Sequence, residues 1–184
     1  MIDKQQLRVI AKSKVITNKS CNDKIIANKV ISFDKYRAAS TVFIYLSRQD
    51  EVSTDLIIKK SFLECKRVFV PVIKSGQMLA VEIYPETEMT VGTFNIREPQ
   101  SYISNLKTPI IDIAIIPIVA CDVELNRLGH GGGYYDKWLA QNNVFKLGLC
   151  YDTRKFDIIP TLNHDIKMDA IITERTTYLK ISEI

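Results

Sequence analysis

Apolar residues recur at helical spacing from Ile2 to Asp34, with Leu7, Ile10 and Ala11 in one segment and Ile26, Val30 and Phe33 in a second. The spacing predicts two opening helices, the second capped by Ser20. Thr41-Val-Phe-Ile-Tyr-Leu46 is a run of β-formers, and Ser53-Thr54-Asp55 opens an apolar helical pattern through Leu63. This reads as a strand and a crossover helix. Arg67–Pro71 and Met78–Tyr84 read as strands joined by the turn-rich Lys74-Ser-Gly76-Gln77, and the alternation of the second places it near a sheet edge. Ile111–Ile116 is nearly all apolar, as expected of a strand covered on both faces. A glycine-rich loop follows, then a helix near Tyr135–Ala140 and strands at Lys146–Tyr151, Ala170–Thr173 and Tyr178–Ile181. The expected fold is α/β: one domain over residues 1–184, a three-layer sandwich with a mixed, largely parallel sheet and a Gly-rich strand-to-helix loop.

Composition narrows the picture. With 184 residues, 46% of them hydrophobic, the chain can bury a real core. Its net charge of +4 only weakly favours an anionic partner, and dispersed lysines without interleaved aromatics argue against nucleic acid. Cys21, Cys65, Cys121 and Cys150 lack CxxC spacing and only two histidines are present, so neither a zinc site nor a disulfide framework is indicated. The opening residues carry charge where a leader needs an apolar stretch, and the apolar run Ile110–Cys121 is broken by Asp112 and Pro117. A cytoplasmic protein outside the membrane is expected.

The candidate chemistry lies in Arg127-Leu-Gly-His-Gly-Gly-Gly-Tyr-Tyr-Asp136, which holds four of the seven glycines. A loop entering a helix presents backbone N–H groups to an anion, and glycines let a phosphate approach closely. The loop is not a Walker A motif, because no Gly-Lys-Ser/Thr follows, and Tyr134 stands where a dinucleotide fingerprint needs its third glycine. A flexible surface turn is the competing reading. Arg127 and Asp136 tilt the balance, since a guanidinium can clamp phosphate oxygens and a carboxylate can hold magnesium beside them. Lys4 and Arg8 share a helix face, either as a solvated basic face or as a phosphate grip.

Asp112–Asp136 resembles the signature of the 5-formyltetrahydrofolate cyclo-ligase (5,10-methenyltetrahydrofolate synthetase) family, R-L-G-x-G-x-G-Y-Y-D being its specific part. The resemblance extends to Lys4-x-x-x-Arg8, Tyr45-Leu-Ser-x-x-x-Glu51-Val-x-Thr54, Gly92-x-x-x-Ile-x-Glu98-Pro99, Pro160 and His164-Asp165-x-x-x-Asp169 before Thr173-Glu174. It implies a compact α/β enzyme that uses ATP and Mg2+ to close the formyl group of 5-formyltetrahydrofolate onto N10, with polyglutamylated folates as further candidate substrates and a monomer as the expected state. Carried over residue by residue, it implies that Lys4, Arg8, Arg127, Gly129, His130, Gly131, Gly132, Gly133, Tyr134 and Tyr135 meet ATP. Leu46, Glu51, Phe94 and Tyr134 would meet the folate, with Glu51 on the pterin donors, and Asp136 and Asp165 would hold magnesium. Arg127 and Tyr134 would serve catalysis directly. Asp136 as a helix cap and Asp165 in a turn are the alternatives for those carboxylates. His164 is not assigned as acid or base. In the implied mechanism the formyl oxygen attacks the γ-phosphorus, N10 adds to the activated carbon and phosphate leaves, so positioning and charge neutralisation dominate.

Leu125 stands where the family usually has glycine, Cys121 where phenylalanine is usual, and Arg154 near a usual glutamine, while Gly132 falls where some relatives carry a basic side chain. These departures predict an altered KM before any loss of activity. The competing expectation is a non-catalytic homologue that binds nucleotide and folate without turnover. A sugar-phosphate or thioester enzyme is a further reading on fold analogy.

Overall fold

The computed structural model describes residues 2–92, 96–102 and 110–180. Helix α1 (Lys4–Ser13) begins at a capping box: the Asp3 carboxylate accepts the Gln6 N–H at 2.8 Å and the Gln6 side chain accepts the Asp3 N–H at 3.1 Å. Asp3→Ala should destabilise the protein by about 1 kcal/mol, read from the urea midpoint. Helix α2 (Lys19–Ser32) starts at Asn18 in the left-handed conformation, φ 52°, without a side-chain cap bond. Ser20, the expected cap, lies inside this helix. A short helix α3 (Asp34–Ala38) follows, which periodicity did not separate from α2.

Strand β1 (Thr41–Ile44), helix α4 (Asp55–Leu63) and strand β2 (Arg67–Lys74) form the expected crossover unit. Strand β3 (Gln77–Ile83) returns antiparallel through Ser75-Gly76, both at positive φ. Such a turn matches the twist of the paired strands. A small hairpin, β4 (Met89–Val91) with β5 (Arg97–Pro99), precedes β6 (Ile113–Pro117). A second one, β7 (Ala120–Cys121) with β8 (Arg127–Leu128), separates β6 from the glycine loop, so that loop does not follow the buried strand directly. Helix α5 (Tyr134–Gln141), β9 (Phe145–Leu149), β10 (Ala170–Ile172) and β11 (Thr177–Leu179) complete the described chain.

The seven-stranded sheet has the order β11-β10-β9-β6-β1-β2-β3. Neighbours from β10 to β2 pair in parallel, and only the edge strands β11 and β3 run antiparallel. The sheet is therefore mixed and largely parallel, as expected. Strand alternation splits its core in two. Val42, Ile44, Ile113, Ile115 and Leu147 face α2, α3 and α4, whereas Phe43, Ala114, Ile116 and Ile171 face α5, where Phe43 stacks on Trp138 at 4.3 Å between ring centroids. A third cluster joins Leu7 and Ala11 of α1 to Ala120 and Leu128 of the β7–β8 hairpin, and so holds the charged side of α1 beside the glycine loop.

Asp112 ties the entry of β6 to β1 by accepting the Ser40 and Thr41 N–H groups at 2.8 and 2.9 Å. Desolvation acts to raise its pKa, but the Thr41 and Ser40 donors outweigh that and hold the carboxyl below the ordinary aspartate range. With a depressed folded pKa, the stabilisation is fully present above the unfolded value and disappears as pH falls through the folded one. The stability gap between wild type and Asp112→Asn should accordingly narrow on acidification and stay constant near neutrality, as followed by urea unfolding at successive pH values.

Candidate active site

Between β1 and β6 the chain order reverses, one branch running to β2 and the other to β9. Ligand clefts in open α/β sheets form beyond the carboxyl ends of strands at such a point. A cleft of about 500 Å³ opens there, reached from β1 by Tyr45 and Leu46 and from β6 by Pro117. Lys4, Arg8, Leu46, Glu51, Arg127, the loop Gly129–Gly133, Tyr134, Tyr135, Asp136 and Asp165 all line it. Phe94 lies outside the described residues.

The loop is built for close approach. Gly131 and Gly133 adopt φ of 109° and 67°, a region that a side chain would strain, and Gly133 is the residue from which α5 starts. The first turn of α5 leaves the Tyr134, Tyr135 and Asp136 amides without helical partners at the loop. Arg8 Nε donates to Gly129 O at 2.8 Å, and a Cβ on Gly131 would sit 3.4 Å from the Arg8 guanidinium carbon. Arg8 has five N–H donors. Among the described residues only Nε is engaged, so its terminal amino groups are available to an anion.

Arg127 is nearly enclosed, with 4% of its side chain exposed, and Nη2 donates to Asp136 Oδ1 at 2.7 Å. Its buried Nε has no hydrogen-bond partner among the described residues. Lys4 pairs with Asp165 Oδ2, which also accepts the Leu162 N–H at 2.6 Å. Burial acts to raise the Asp165 pKa, but Lys4 and the Leu162 amide more than offset it and keep the group ionised. Asp136 Oδ1 also takes the Ile166 N–H at 3.2 Å. In both aspartates the other carboxylate oxygen has no hydrogen-bond partner among the described residues.

Glu51 is buried, and both of its carboxylate oxygens are engaged: Oε2 accepts the Arg48 N–H at 2.8 Å and Oε1 lies 2.8 Å from His130 Nε2. The glycine loop and the Glu51 loop thus touch. Burial, reinforced by the Glu51 charge, pushes the Tyr45 and Tyr135 phenols well up, so both remain neutral. Tyr135 packs edge-on against Phe43, with the Arg127 guanidinium over its ring at 5.9 Å.

Sequence reading missed the apolar part of the lining, Tyr45, Pro71, Ile73 and Met78. Pro71 and Met78 lie in the predicted strands and Ile73 just beyond the first of them, in the longer observed β2, and alternation does not say what their shared face meets. Leu125, in the place of a usual glycine, takes the left-handed conformation itself, φ 65°, while its side chain is buried. Such backbone strain in a non-glycine residue costs on the order of 1–2 kcal/mol, which burial of the leucine offsets.

The chain is thus an α/β protein whose largely parallel sheet carries a glycine-floored, cation-lined cleft at its switch point. Residues 3–174 match the model of the 5-formyltetrahydrofolate cyclo-ligase family, and the chain belongs to that family. The 5-formyltetrahydrofolate cyclo-ligase of Haemophilus influenzae is 31% identical over 154 residues, covering 80% of this chain and 82% of that protein. A probable 5-formyltetrahydrofolate cyclo-ligase of Schizosaccharomyces pombe is 30% identical, covering 94% and 95%. The 5,10-methenyltetrahydrofolate synthetase of Aquifex aeolicus superposes with a TM-score of 0.81 at 24% identity, over 96% of this chain and 92% of the other, and supports the fold. That of Mycoplasma pneumoniae gives 0.69 at 25% identity, over 94% and 99%.

Proposed function

We propose that this chain converts 5-formyltetrahydrofolate and ATP into 5,10-methenyltetrahydrofolate, ADP and phosphate, acting as a cytoplasmic monomer. The observation that carries the reading is the meeting of Glu51 with the glycine loop through His130 inside one cleft. A carboxylate suited to the amino and N–H donors of a pterin therefore stands next to a loop suited to a triphosphate. No helix among the described residues is long and apolar enough to cross a membrane.

In this reading Lys4, Arg8, Arg127 and the amides at the start of α5 grip the triphosphate and turn its γ-phosphorus toward the formyl oxygen. Leu46 and Tyr134 hold the folate, with Glu51 anchoring its pterin. The formyl oxygen forms a bond to the γ-phosphorus as ADP leaves. N10 then adds to the formyl carbon and gives up its proton, the carbon–oxygen bond breaks, and phosphate departs with that oxygen and takes up the proton. Both nucleophiles, the formyl oxygen and N10, belong to the substrate, so the chain needs none of its own.

The residues present fit magnesium. No cluster of three or more His, Cys, Asp or Glu side chains occurs among the described residues, but magnesium shared with phosphates needs only one or two carboxylates. Asp136 and Asp165 line the same cleft, each with one unengaged oxygen, and would hold the ion. When bound it would neutralise charge on the phosphate oxygens. Leu125, near the entrance to Arg127, adopts the left-handed conformation that a glycine takes most readily. Purified protein supplied with 5-formyltetrahydrofolate, ATP and magnesium should generate the methenyl absorbance with stoichiometric phosphate release. Binding of both ligands by folded protein without absorbance change would refute the catalytic reading.

A further inference from the structure

Successive backbone groups of the loop that carries Glu51 are each met by a side chain from elsewhere in the fold. Arg154 Nη1 donates to Asp50 O at 2.8 Å, the Tyr151 hydroxyl lies 3.0 Å from Glu51 O, and the Tyr45 hydroxyl donates to Val52 O at 2.8 Å. The next residue, Ser53, donates its N–H to Asp23 Oδ1 at 3.1 Å. That same oxygen accepts the Tyr151 hydroxyl at 2.5 Å, so the single phenolic proton is shared between Asp23 and the Glu51 carbonyl. Arg154, Tyr151 and Tyr45 are all buried, at 4%, 1% and 3% exposure. Loop carbonyls ordinarily face water. Here the loop is held from behind, while its carboxylate faces the cleft.

Arg154 is the most informative member. Its guanidinium has no carboxylate within ion-pair distance among the described residues, its Nε is buried without a partner, and the side chain does not line the cleft. A charge buried for packing alone would be costly. Its one side-chain hydrogen bond among the described residues goes to the residue before Glu51. Tyr151 precedes, and Arg154 closes, the 3-10 turn Asp152–Arg154 after β9.

We propose that Arg154 and Tyr151 are positioning residues for folate: they fix the loop so that the Glu51 carboxylate is aimed before the substrate arrives. The inference rests on Glu51 being the pterin ligand. Preorganisation of this kind lowers the ordering cost of binding one substrate and leaves the other untouched.

Arg154→Met removes the donor and keeps most of the stem, and should raise the KM for 5-formyltetrahydrofolate about tenfold with the KM for ATP unchanged. Arg154→Lys returns a donor and should recover most of the loss. Tyr151→Phe keeps the ring and removes only the hydroxyl, with an expected rise of about threefold in the same constant. An unchanged folate KM, or a parallel rise in both constants, overturns the proposal, and if Arg154→Met does not fold, Tyr151→Phe decides it on the same criteria. Where wild type binds folate without turnover, the folate Kd replaces KM, and failure of wild type to bind folate at all would sink both readings together. Wild-type turnover with unaltered variants sinks this one alone.

Discussion

Replacing Arg127 by alanine should lower kcat/KM by roughly 10- to 150-fold, the loss of a charge-assisted bond worth about 1.5 to 3 kcal/mol. The guanidinium is nearly enclosed and holds Asp136, so its removal also leaves a part-buried carboxylate without its cation beside the glycine loop. It supports the loop floor as well, because Nη1 lies 2.8 Å from where a Cβ on Gly129 would be. If Arg127 grips the phosphates equally before and during transfer, the loss falls on the KM for ATP. If it acts on charge that develops during transfer, the loss falls on kcat. Arg127→Lys keeps the charge but not the planar fork and should be intermediate. Steady-state kinetics with both substrates varied give the split, and unaltered constants in Arg127→Ala would remove this residue from the mechanism.

Glu51→Gln should raise the KM for 5-formyltetrahydrofolate by a similar factor, roughly 10- to 150-fold, while the KM for ATP stays near wild type. The substitution preserves shape and removes charge. In the protein one oxygen accepts the Arg48 amide and the other meets His130. An amide must keep its oxygen on Arg48 and turn its NH2 toward His130, so only one acceptor atom remains where a pterin with several donors needs two. Folate titration and kinetics together test this, and an unshifted folate constant would show that the pterin lies elsewhere.

The parts of the site confined to short segments were legible in the sequence. Gly129–Gly133, Arg127 and Asp136 could be singled out as neighbours on one cleft because a glycine's conformational freedom and a charge's reach are local properties. Lys4 and Arg8 share a face by helical arithmetic alone. The main strands were readable from β-forming and apolar runs, and the edge position of β3 from its alternation. Less was readable where an element is too short to show a period, as in the two-residue strands β7 and β8, or where backbone geometry overrides preference, as at Asn18 and Leu125. The Asp3-x-x-Gln6 capping box carried a sequence signature that helical spacing does not use. The grip of Arg154 on Asp50 had no such trace, since it spans 104 residues and ends on a carbonyl, which every residue possesses.

The attachment of α1 has a consequence for how the molecule comes into being. Lys4 finds Asp165 across 161 residues, and Arg8 finds Gly129 across 121. During synthesis the first helix therefore emerges long before either partner exists. Its cations wait in water while the central sheet assembles, and catalytic competence is expected to arrive abruptly, with the segment around Asp165, rather than to accumulate strand by strand. A chain halted at β9 would display the whole glycine loop and still lack half of the lock that holds α1 beside it.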